Sequence, residues 1–206
     1  MLKAYFCRLS AETPTVPEEL LSSYRKEKLA AQNAPLLRRQ SLFSELLLRY
    51  ALRDCGYSSE LPLEITVGEY GKPRLRDGEY CFSISHSAEM LLCALSDREI
   101  GADVQLRSKA KRELMERFFT AEELNYVLAS EDADDALTEI WTKKESFCKL
   151  SGKGLALPLP SFSVLDAQIS PLLEHRKIEG YHAAVCGEAV REGEIKWIEV
   201  KTDALL

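Results

Sequence analysis

The segment at residues 141–154 reads WTKKESFCKLSGKG, and its pattern predicts a helix that ends at two glycines. Trp141, Glu145 and Lys149 are four residues apart, so their side chains lie along one helix face. A carboxylate and an ammonium are thereby held one turn apart beside a large aromatic ring. An ordinary surface ion pair of about 0.2–0.5 kcal/mol has the same spacing, so the role of the segment depends on the rest of the chain.

The composition is that of an ordinary globular protein. The chain has 206 residues, of which 46% are hydrophobic and 29% charged, and this length allows one domain or two small ones. The net charge of −6 disfavours a general nucleic-acid-binding protein. The apolar start of the chain is too short for a signal peptide, and no apolar run approaches the roughly 18 residues of a membrane span. We therefore expect a soluble, cytoplasmic protein.

Six cysteines are scattered along the chain with no Cys-x-x-Cys pair. Three disulfides are the alternative to free thiols, but disulfide frameworks are typical of short secreted chains. Most of these cysteines lie in apolar runs, such as Cys93 within residues 90–95. We therefore predict buried free thiols in a reducing compartment and, with only three histidines, no zinc site.

Helix and strand patterns alternate along the chain. Strands are predicted at residues 2–8, 61–67, 80–85, 90–95 and 100–104, the last three as adjacent antiparallel strands, and closing strands at 161–165, 181–186 and 195–200. Helices are predicted at about 18–33, 35–55, 107–117 and 133–150. Thr120 and Glu123 have the spacing of a capping box. The order of helix followed by strands occurs twice, which suggests two similar halves that meet near residue 98.

Four stretches carry the residues suited to chemistry: Gly71–Pro73, Phe82–Ser87, Ile100–Gln105 and residues 141–154. In this order and at this spacing they resemble the 4′-phosphopantetheinyl transferases, of the monomeric, double-length type that activates surfactin synthetase. The resemblance covers nearly the whole chain and includes FFTAEE at 118–123 and GKGLALP at 152–158. Each motif alone is weak, whereas all of them in order are a strong indication.

The resemblance implies an α/β (α+β) fold of two similar halves, each with a small antiparallel sheet and a long helix, related by a pseudo-two-fold axis. Residues 1–97 would contact the nucleotide of coenzyme A, residues 98–206 would hold the metal and pyrophosphate site, and coenzyme A would lie in the cleft between them. The implied reaction moves the 4′-phosphopantetheine arm of coenzyme A to a serine of an apo acyl or peptidyl carrier protein. Adenosine 3′,5′-bisphosphate would be released.

A magnesium site is implied at Asp103, Gln105 and Glu145. Transfer from a pyrophosphate needs a divalent cation, cationic side chains and a base for the attacking hydroxyl. Asp103 is predicted to end a strand and Glu145 to lie on a later helix, so hard oxygen ligands for Mg²⁺ (or Mn²⁺) could converge. Gln105 stands where the family carries a second acid, and its neutral amide predicts weaker metal binding in the absence of coenzyme A. Without the resemblance, Asp103 is equally well explained as an ordinary strand-end aspartate.

Catalytic roles are implied for Glu145, Lys149 and Glu123. Lys149 would contact the pyrophosphate and assist the leaving group. Glu145, directly or through a metal-bound water, or Glu123 would act as the base, and helix capping is an equal alternative for Glu123. A basic helix face is an equally good interpretation of Arg25 and Lys28. The residues implied to contact coenzyme A are Lys28, Arg39, Ser41, Lys72, Pro73, Ser85, His86 and Lys149.

Five cations lie within the eleven residues from Arg107 to Arg117. Such a run is usually a solvated helix face, but this one directly follows Asp103. It therefore predicts a surface that docks the acidic face of a carrier protein, where electrostatic complementarity mainly raises the association rate. The predicted docking residues are Arg107, Lys109, Lys111, Arg112, Met115, Phe118 and Phe119.

Two other functions fit parts of the sequence. A serine hydrolase could use a serine of the Ser85-His86-Ser87 run together with Asp103. The chain has no Gly-x-Ser-x-Gly turn, however, and adjacent side chains of an extended segment point apart. A non-catalytic protein that binds coenzyme A or a carrier protein is the second alternative, because Gln105 replaces an acid of the metal site.

Overall fold

The computed structural model describes residues 1–9, 16–58 and 61–205, apart from the side chain of Leu155. No helix in these ranges is long and apolar enough to cross a membrane. The helices are α1 (Ser23–Ala30), α2 (Pro35–Asp54), α3 (Arg112–Phe118), α4 (Ala121–Ala129), α5 (Ala133–Ser151) and α6 (Glu188–Glu192). The strands are β1 (Leu2–Arg8), β2 (Ile65–Val67), β3 (Pro73–Leu75), β4 (Cys81–Ser87), β5 (Met90–Ser96), β6 (Gly101–Leu106), β7 (Leu173–Ile178), β8 (Tyr181–Cys186) and β9 (Lys196–Glu199).

Two sheets form the centre of the protein. The four-stranded sheet has the order β4-β5-β1-β9, with β9 parallel to β1 and the other pairs antiparallel. The three-stranded sheet has the order β6-β8-β7 and is antiparallel throughout, and β2 and β3 form a separate hairpin. This mixed arrangement confirms the predicted fold class. The division into halves at residue 97 stays a prediction.

Helices cover the outer faces of the two sheets. The apolar side of α2 packs on the four-stranded sheet, with Phe43 and Leu47 of the helix in one cluster with Tyr5 of β1. The inner faces of the two sheets meet in a second apolar cluster that includes Leu92 and Val104. The long helix α5 packs on the other face of the three-stranded sheet, against β6 and β8. Side chains of β6 therefore alternate between this apolar cluster and the side covered by α5.

At Gly101, the backbone of β6 directly contacts the backbone of α5. A Cβ at this position would lie 2.0 Å from the carbonyl oxygen of Ser146 and 2.4 Å from the backbone nitrogen of Leu150. A side chain at this position would overlap the backbone of α5, so only glycine is sterically allowed here. The contact places the C-terminal half of α5, which carries Glu145 and Lys149, against the strand that carries Asp103.

Serine side chains of β4 hold the free edge of β6. Because β6 is the end strand of its sheet, some of its backbone N–H groups have no neighbouring strand to bond. The N–H of Ala102 donates to Ser83 Oγ over 2.9 Å, and the N–H of Leu106 donates to Ser87 Oγ over 3.0 Å. Serines at alternate positions of β4 thus accept hydrogen bonds from the edge of β6 that has no neighbouring strand.

Two predicted helices are shorter than expected. A one-turn 3-10 helix at Glu18–Leu20 precedes α1, and the predicted helix at 18–33 is interrupted because Ser22 caps α1. The Ser22 hydroxyl also donates to Glu45 Oε2 over 2.6 Å, which ties this cap to α2. The helix predicted at 107–117 begins only at Arg112.

The strand predictions hold best for the buried strands. The prediction that β4, β5 and β6 are adjacent is wrong for β6, which pairs with β8 in the second sheet. Residues 161–165 form no strand, because Phe162 and Val164 pack from an irregular segment into an apolar cluster with α3, α4 and α5. The strand that completes the second sheet is instead β7, which the sequence reading missed.

Candidate active site

A cavity of about 300 Å³ opens between α1, α2, the β2–β3 turn, β4 and the end of α5. Its wall is rich in cationic side chains and also carries the imidazole of His86. Of the eight residues implied to contact coenzyme A, Ser85 and Arg39 are outside the described lining of this cavity. The other six line it: Lys28, Ser41, Lys72, Pro73, His86 and Lys149.

Asp103 accepts hydrogen bonds from three side chains. Its carboxylate is buried and lies inside β6 rather than at the predicted strand end. The Oδ1 atom accepts from Lys149 Nζ at 2.7 Å and from Ser85 Oγ at 2.6 Å, and Oδ2 accepts from Gln105 Nε2 at 2.9 Å. Lys149 of α5 thus forms its ion pair with Asp103 of β6. The surface ion pair with Glu145 that the helical spacing allows is not observed.

The carboxylate of Glu145 is half-buried and available to a ligand. In the part of the chain that the structure describes, no hydrogen bond reaches it. Burial and then the negative charge of Asp103 raise the pKa of Glu145, and Lys149 partly offsets this increase. Two neighbouring carboxylates, one of them without a donor, are suited to a hard divalent cation.

The donor set fits a magnesium ion that keeps several positions for other ligands. Asp103, Glu145 and the amide oxygen of Gln105 would supply hard oxygen atoms, and Mg²⁺ sites use one or two carboxylates with water and phosphate. Among residues 1–9, 16–58 and 61–205, no group of three or more His, Cys, Asp or Glu side chains forms a metal cluster. The site therefore suits a cation that arrives with an anionic ligand better than one held by protein alone.

The imidazole of His86 lines the cavity. Burial, and after it the positive charges of Lys149 and Arg25, lower the pKa of His86. The same charges favour an anion in this place. Ser85 donates to Asp103, and within the described residues no hydrogen bond joins it to His86, so the catalytic arrangement of a serine hydrolase is not formed.

The basic residues of α1 divide into two kinds. Arg25 is buried, its Nε lies 3.4 Å from Glu45 Oε2, and its Nη1 donates to Ser41 Oγ over 3.0 Å. It therefore holds α1 against α2. Lys28 is exposed at the cavity, with its ammonium 5.7 Å from the centre of the Tyr24 ring.

Glu123 lies in a separate buried cluster. Its Oε1 accepts from Lys144 Nζ at 2.9 Å and from the Val164 N–H at 2.8 Å, and its Oε2 accepts from Lys144 at 2.6 Å and from the Thr120 N–H at 2.9 Å. The predicted capping box is confirmed. This bonding satisfies the carboxylate and favours the capping role over that of a base.

Lys144 is a buried residue whose role the sequence reading missed. Its ammonium binds Glu123 and donates to the Phe162 carbonyl over 2.7 Å, which anchors α5 to α4 and to the segment that follows α5. The available signal was its helical phase, because the buried Ile140 and Cys148 lie one turn before and after it. With Lys144 directed into the core, Glu145 is turned toward Asp103.

The predicted docking residues occupy different environments. Met115 and Phe119 are 2% and 5% exposed and belong to the core, so a partner protein cannot reach them. Arg107 donates to both carboxylate oxygens of Asp132, at 2.8 Å each. Lys109 and Lys111 are exposed on the segment that leaves β6, close in sequence to Gln105.

Comparisons with known proteins agree on one family. Residues 99–194 match the model of the 4′-phosphopantetheinyl transferase superfamily. The chain is 34% identical to the 4′-phosphopantetheinyl transferase Sfp of Bacillus subtilis (strain 168), over 64% of this chain and 61% of that protein. It is 32% identical to the transferase ffp of Bacillus subtilis (71% of this chain, 73% of the relative) and to the transferase gsp of Aneurinibacillus migulanus (71% and 68%).

Proposed function

We propose that this chain, which belongs to the 4′-phosphopantetheinyl transferase family, moves the 4′-phosphopantetheine arm of coenzyme A to a serine of an apo carrier protein. The observation that carries the proposal is the group formed by Asp103, Glu145, Lys149 and Ser85 beside a cationic cavity. The names of the relatives support the same reaction. All six cysteines are free thiols, which supports a cytoplasmic enzyme, and we propose that it acts as a monomer.

The protein side chains take separate parts in this reaction. Lys28, His86 and Lys149 bind the phosphates of coenzyme A in the cavity. Glu145 accepts the proton of the serine hydroxyl at its carboxylate, the serine oxygen bonds to the β-phosphorus, and the bond to the leaving adenosine 3′,5′-bisphosphate breaks. Within the described residues no hydrogen bond to the Glu145 carboxylate has to break before it accepts this proton. Lys149 neutralises the negative charge on the leaving phosphate.

Asp103, Glu145 and Gln105 would hold the metal ion. When bound, Mg²⁺ (or Mn²⁺) would offset the charge of the pyrophosphate and so favour attack by an oxygen nucleophile. Ser85 supports this group from β4 by its bond to Asp103. Of the two bases considered, we propose Glu145, because the Glu123 carboxylate is already bonded on both oxygens.

The transfer is tested by mass spectrometry of an apo carrier protein incubated with this chain, coenzyme A and Mg²⁺. We expect a gain of one phosphopantetheine per carrier and an equal amount of adenosine 3′,5′-bisphosphate. Acyl carriers and peptidyl carriers should be tried side by side. Binding of coenzyme A without modification of any of these carriers would instead support a non-catalytic coenzyme A-binding protein.

Replacing Gln105 by glutamate is expected to strengthen the binding of Mg²⁺ to the unliganded protein by about tenfold, because a third carboxylate adds negative charge to the ligand group. Titration calorimetry in the absence of coenzyme A measures this change. Gln168→Glu, the same chemical change at an exposed position, is the matched control. Equal Mg²⁺ affinities of Gln105→Glu and wild type would show that residue 105 does not set the charge of the metal site.

We propose that carrier proteins dock on Lys109, Lys111 and the exposed side of α3, where Leu114 and Arg112 also reach solvent. Charge reversal by Lys109→Glu with Lys111→Glu is expected to raise the KM for carrier about tenfold at low salt, with a smaller effect as salt increases. Steady-state kinetics should show an unchanged KM for coenzyme A. The double variant Lys196→Glu with Lys201→Glu is the control, and an equal effect of both pairs would refute docking at this surface.

A further inference from the structure

We propose that Lys72 is a positioning residue whose ammonium fastens the end of α5 to the β2–β3 turn and to the start of β6, and that it does not bind the phosphates of the ligand. This inference deepens the proposed function, because it concerns the walls of the cavity in which we place coenzyme A. It also differs from the role that the sequence suggested for Lys72.

Three oxygen atoms surround the Lys72 ammonium. Its Nζ donates to Glu99 Oε2 over 2.9 Å, to the Ile100 carbonyl over 2.9 Å and to the Leu150 carbonyl over 3.3 Å. An ammonium has three protons, so these acceptors use its full donor capacity. The side chain is 11% exposed, which leaves a phosphate little access without first breaking these bonds.

The acceptors belong to segments that are distant in sequence. Ile100 precedes the first residue of β6, and Leu150 lies in the last turn of α5, where helix carbonyls have no partner within the helix. A cation is favourable at such a helix end because of the helix dipole. Lys72 itself lies in the turn before β3. A single side chain therefore joins the segments that carry Pro73, Asp103 and Lys149.

The turn and the helix end also contact each other directly. Gly152 ends α5 with φ of +68°, and a Cβ there would lie 3.5 Å from Lys72 Cδ. A Cβ on Gly154 would lie 3.6 Å from the carbonyl oxygen of Tyr70. The methylene stem of Lys72 thus packs over the end of α5, while its ammonium donates to the Leu150 carbonyl. Together these contacts hold the β2–β3 turn against the end of the helix.

The ammonium of Lys28 provides the contrast. Lys28 lines the same cavity but is exposed, and its ammonium faces the Tyr24 ring. Such a cation is free to bind a phosphate at little cost to the fold. Within one cavity, Lys28 is therefore suited to binding a phosphate and Lys72 to positioning the cavity walls.

Hydrogen exchange of the unliganded protein distinguishes positioning from phosphate binding. Lys72→Met keeps most of the stem but removes the ammonium, and we expect the amides of residues 149–154 to exchange about tenfold faster, as fits the loss of a charged hydrogen bond. Calorimetry should show weaker binding of coenzyme A to this variant. Lys28→Met should weaken coenzyme A binding without any change in exchange. Arg74→Met, which removes the other cation at Glu99, should alter neither.

Glu99→Gln gives a second test in case Lys72→Met does not fold. It removes the charge that holds the ammonium, so it should loosen the same amides and weaken coenzyme A binding if Lys72 is a positioning residue. A phosphate-binding Lys72 would instead be released by this variant and bind coenzyme A equally well or better.

Unchanged exchange at residues 149–154 in Lys72→Met, or faster exchange with unchanged coenzyme A affinity, would overturn the proposal. These measurements need no turnover. A wild-type chain that modifies no carrier would therefore refute the proposed transfer and leave the result for Lys72 standing.

Discussion

Glu145→Gln is expected to reduce transfer of phosphopantetheine by about 10²–10⁴-fold, because it removes both the proposed base and a charged metal ligand. The same substitution is expected to raise the stability of the unliganded protein at pH 7. A loss of activity combined with a gain of stability is typical of a group held in place for function.

The sign of the stability change follows from the pKa of Glu145. Burial and the charge of Asp103 raise this pKa above its ordinary value of 4.5, so the folded protein binds the proton more tightly than the unfolded chain does. Ionisation of Glu145 therefore costs stability as the pH rises above about 4.5. The advantage of the glutamine variant should be absent near pH 4 and increase toward pH 7. Urea denaturation at several pH values, in the presence of a chelator, measures it.

Glu139→Gln is the matched control on the same helix. Burial alone would raise the pKa of Glu139, but the hydrogen bond and charge of Lys143 outweigh burial and lower it. Loss of this carboxylate should therefore destabilise the protein at pH 7 and leave transfer unchanged. If Glu145→Gln retained transfer, or if both variants changed stability in the same direction at pH 7, the assignment of Glu145 would be wrong.

Gly101→Ala is expected to destabilise the protein by at least about 3 kcal/mol, the upper end of the usual cost of overpacking. The added methyl group would meet backbone atoms of α5 at 2.0 and 2.4 Å, and backbone cannot move aside as a flexible side chain can. Any relief requires α5 to shift away from β6, which would separate Lys149 from Asp103. If Gly101→Ala folds, it should therefore also have a lower kcat.

Gly193→Ala is the control for this substitution. A Cβ there would meet no atom within 4 Å, and its φ of −171° is open to any residue. Thermal or urea denaturation of the two variants separates the effect of close approach from the general effect of replacing glycine. Equal midpoints for Gly101→Ala and Gly193→Ala would contradict the observed contact.

The sequence predicts best those elements whose residues are buried in a regular pattern. The apolar run at Tyr181–Cys186 coincides with β8, which is buried along its whole length. The helix predicted at 133–150 differs from α5 by a single residue at its end. The sequence does not predict β7, because LEHRKI at 173–178 is a partly exposed edge strand without an apolar face.

The residues of the proposed site could be named from sequence only through the resemblance to a family. Spacing within the helix suggested that Lys149 pairs with Glu145, whereas the structure pairs it with Asp103, 46 residues away. Local spacing contains no information about such a partner, because packing of α5 on β6 decides it. The same limit applies to Lys72, whose three acceptors lie in segments that only the tertiary fold brings together.

The parallel pairing of β9 with β1 has a consequence for synthesis of the protein. Lys3 to Phe6 pair with Lys196 to Glu199, so β2–β8 are all synthesised between β1 and its parallel partner. All of β2–β8 must be translated before the four-stranded sheet reaches its final width. Until then one edge of β1 is open to chaperones or to other nascent chains. Completion of the four-stranded sheet is therefore timed by translation of β9.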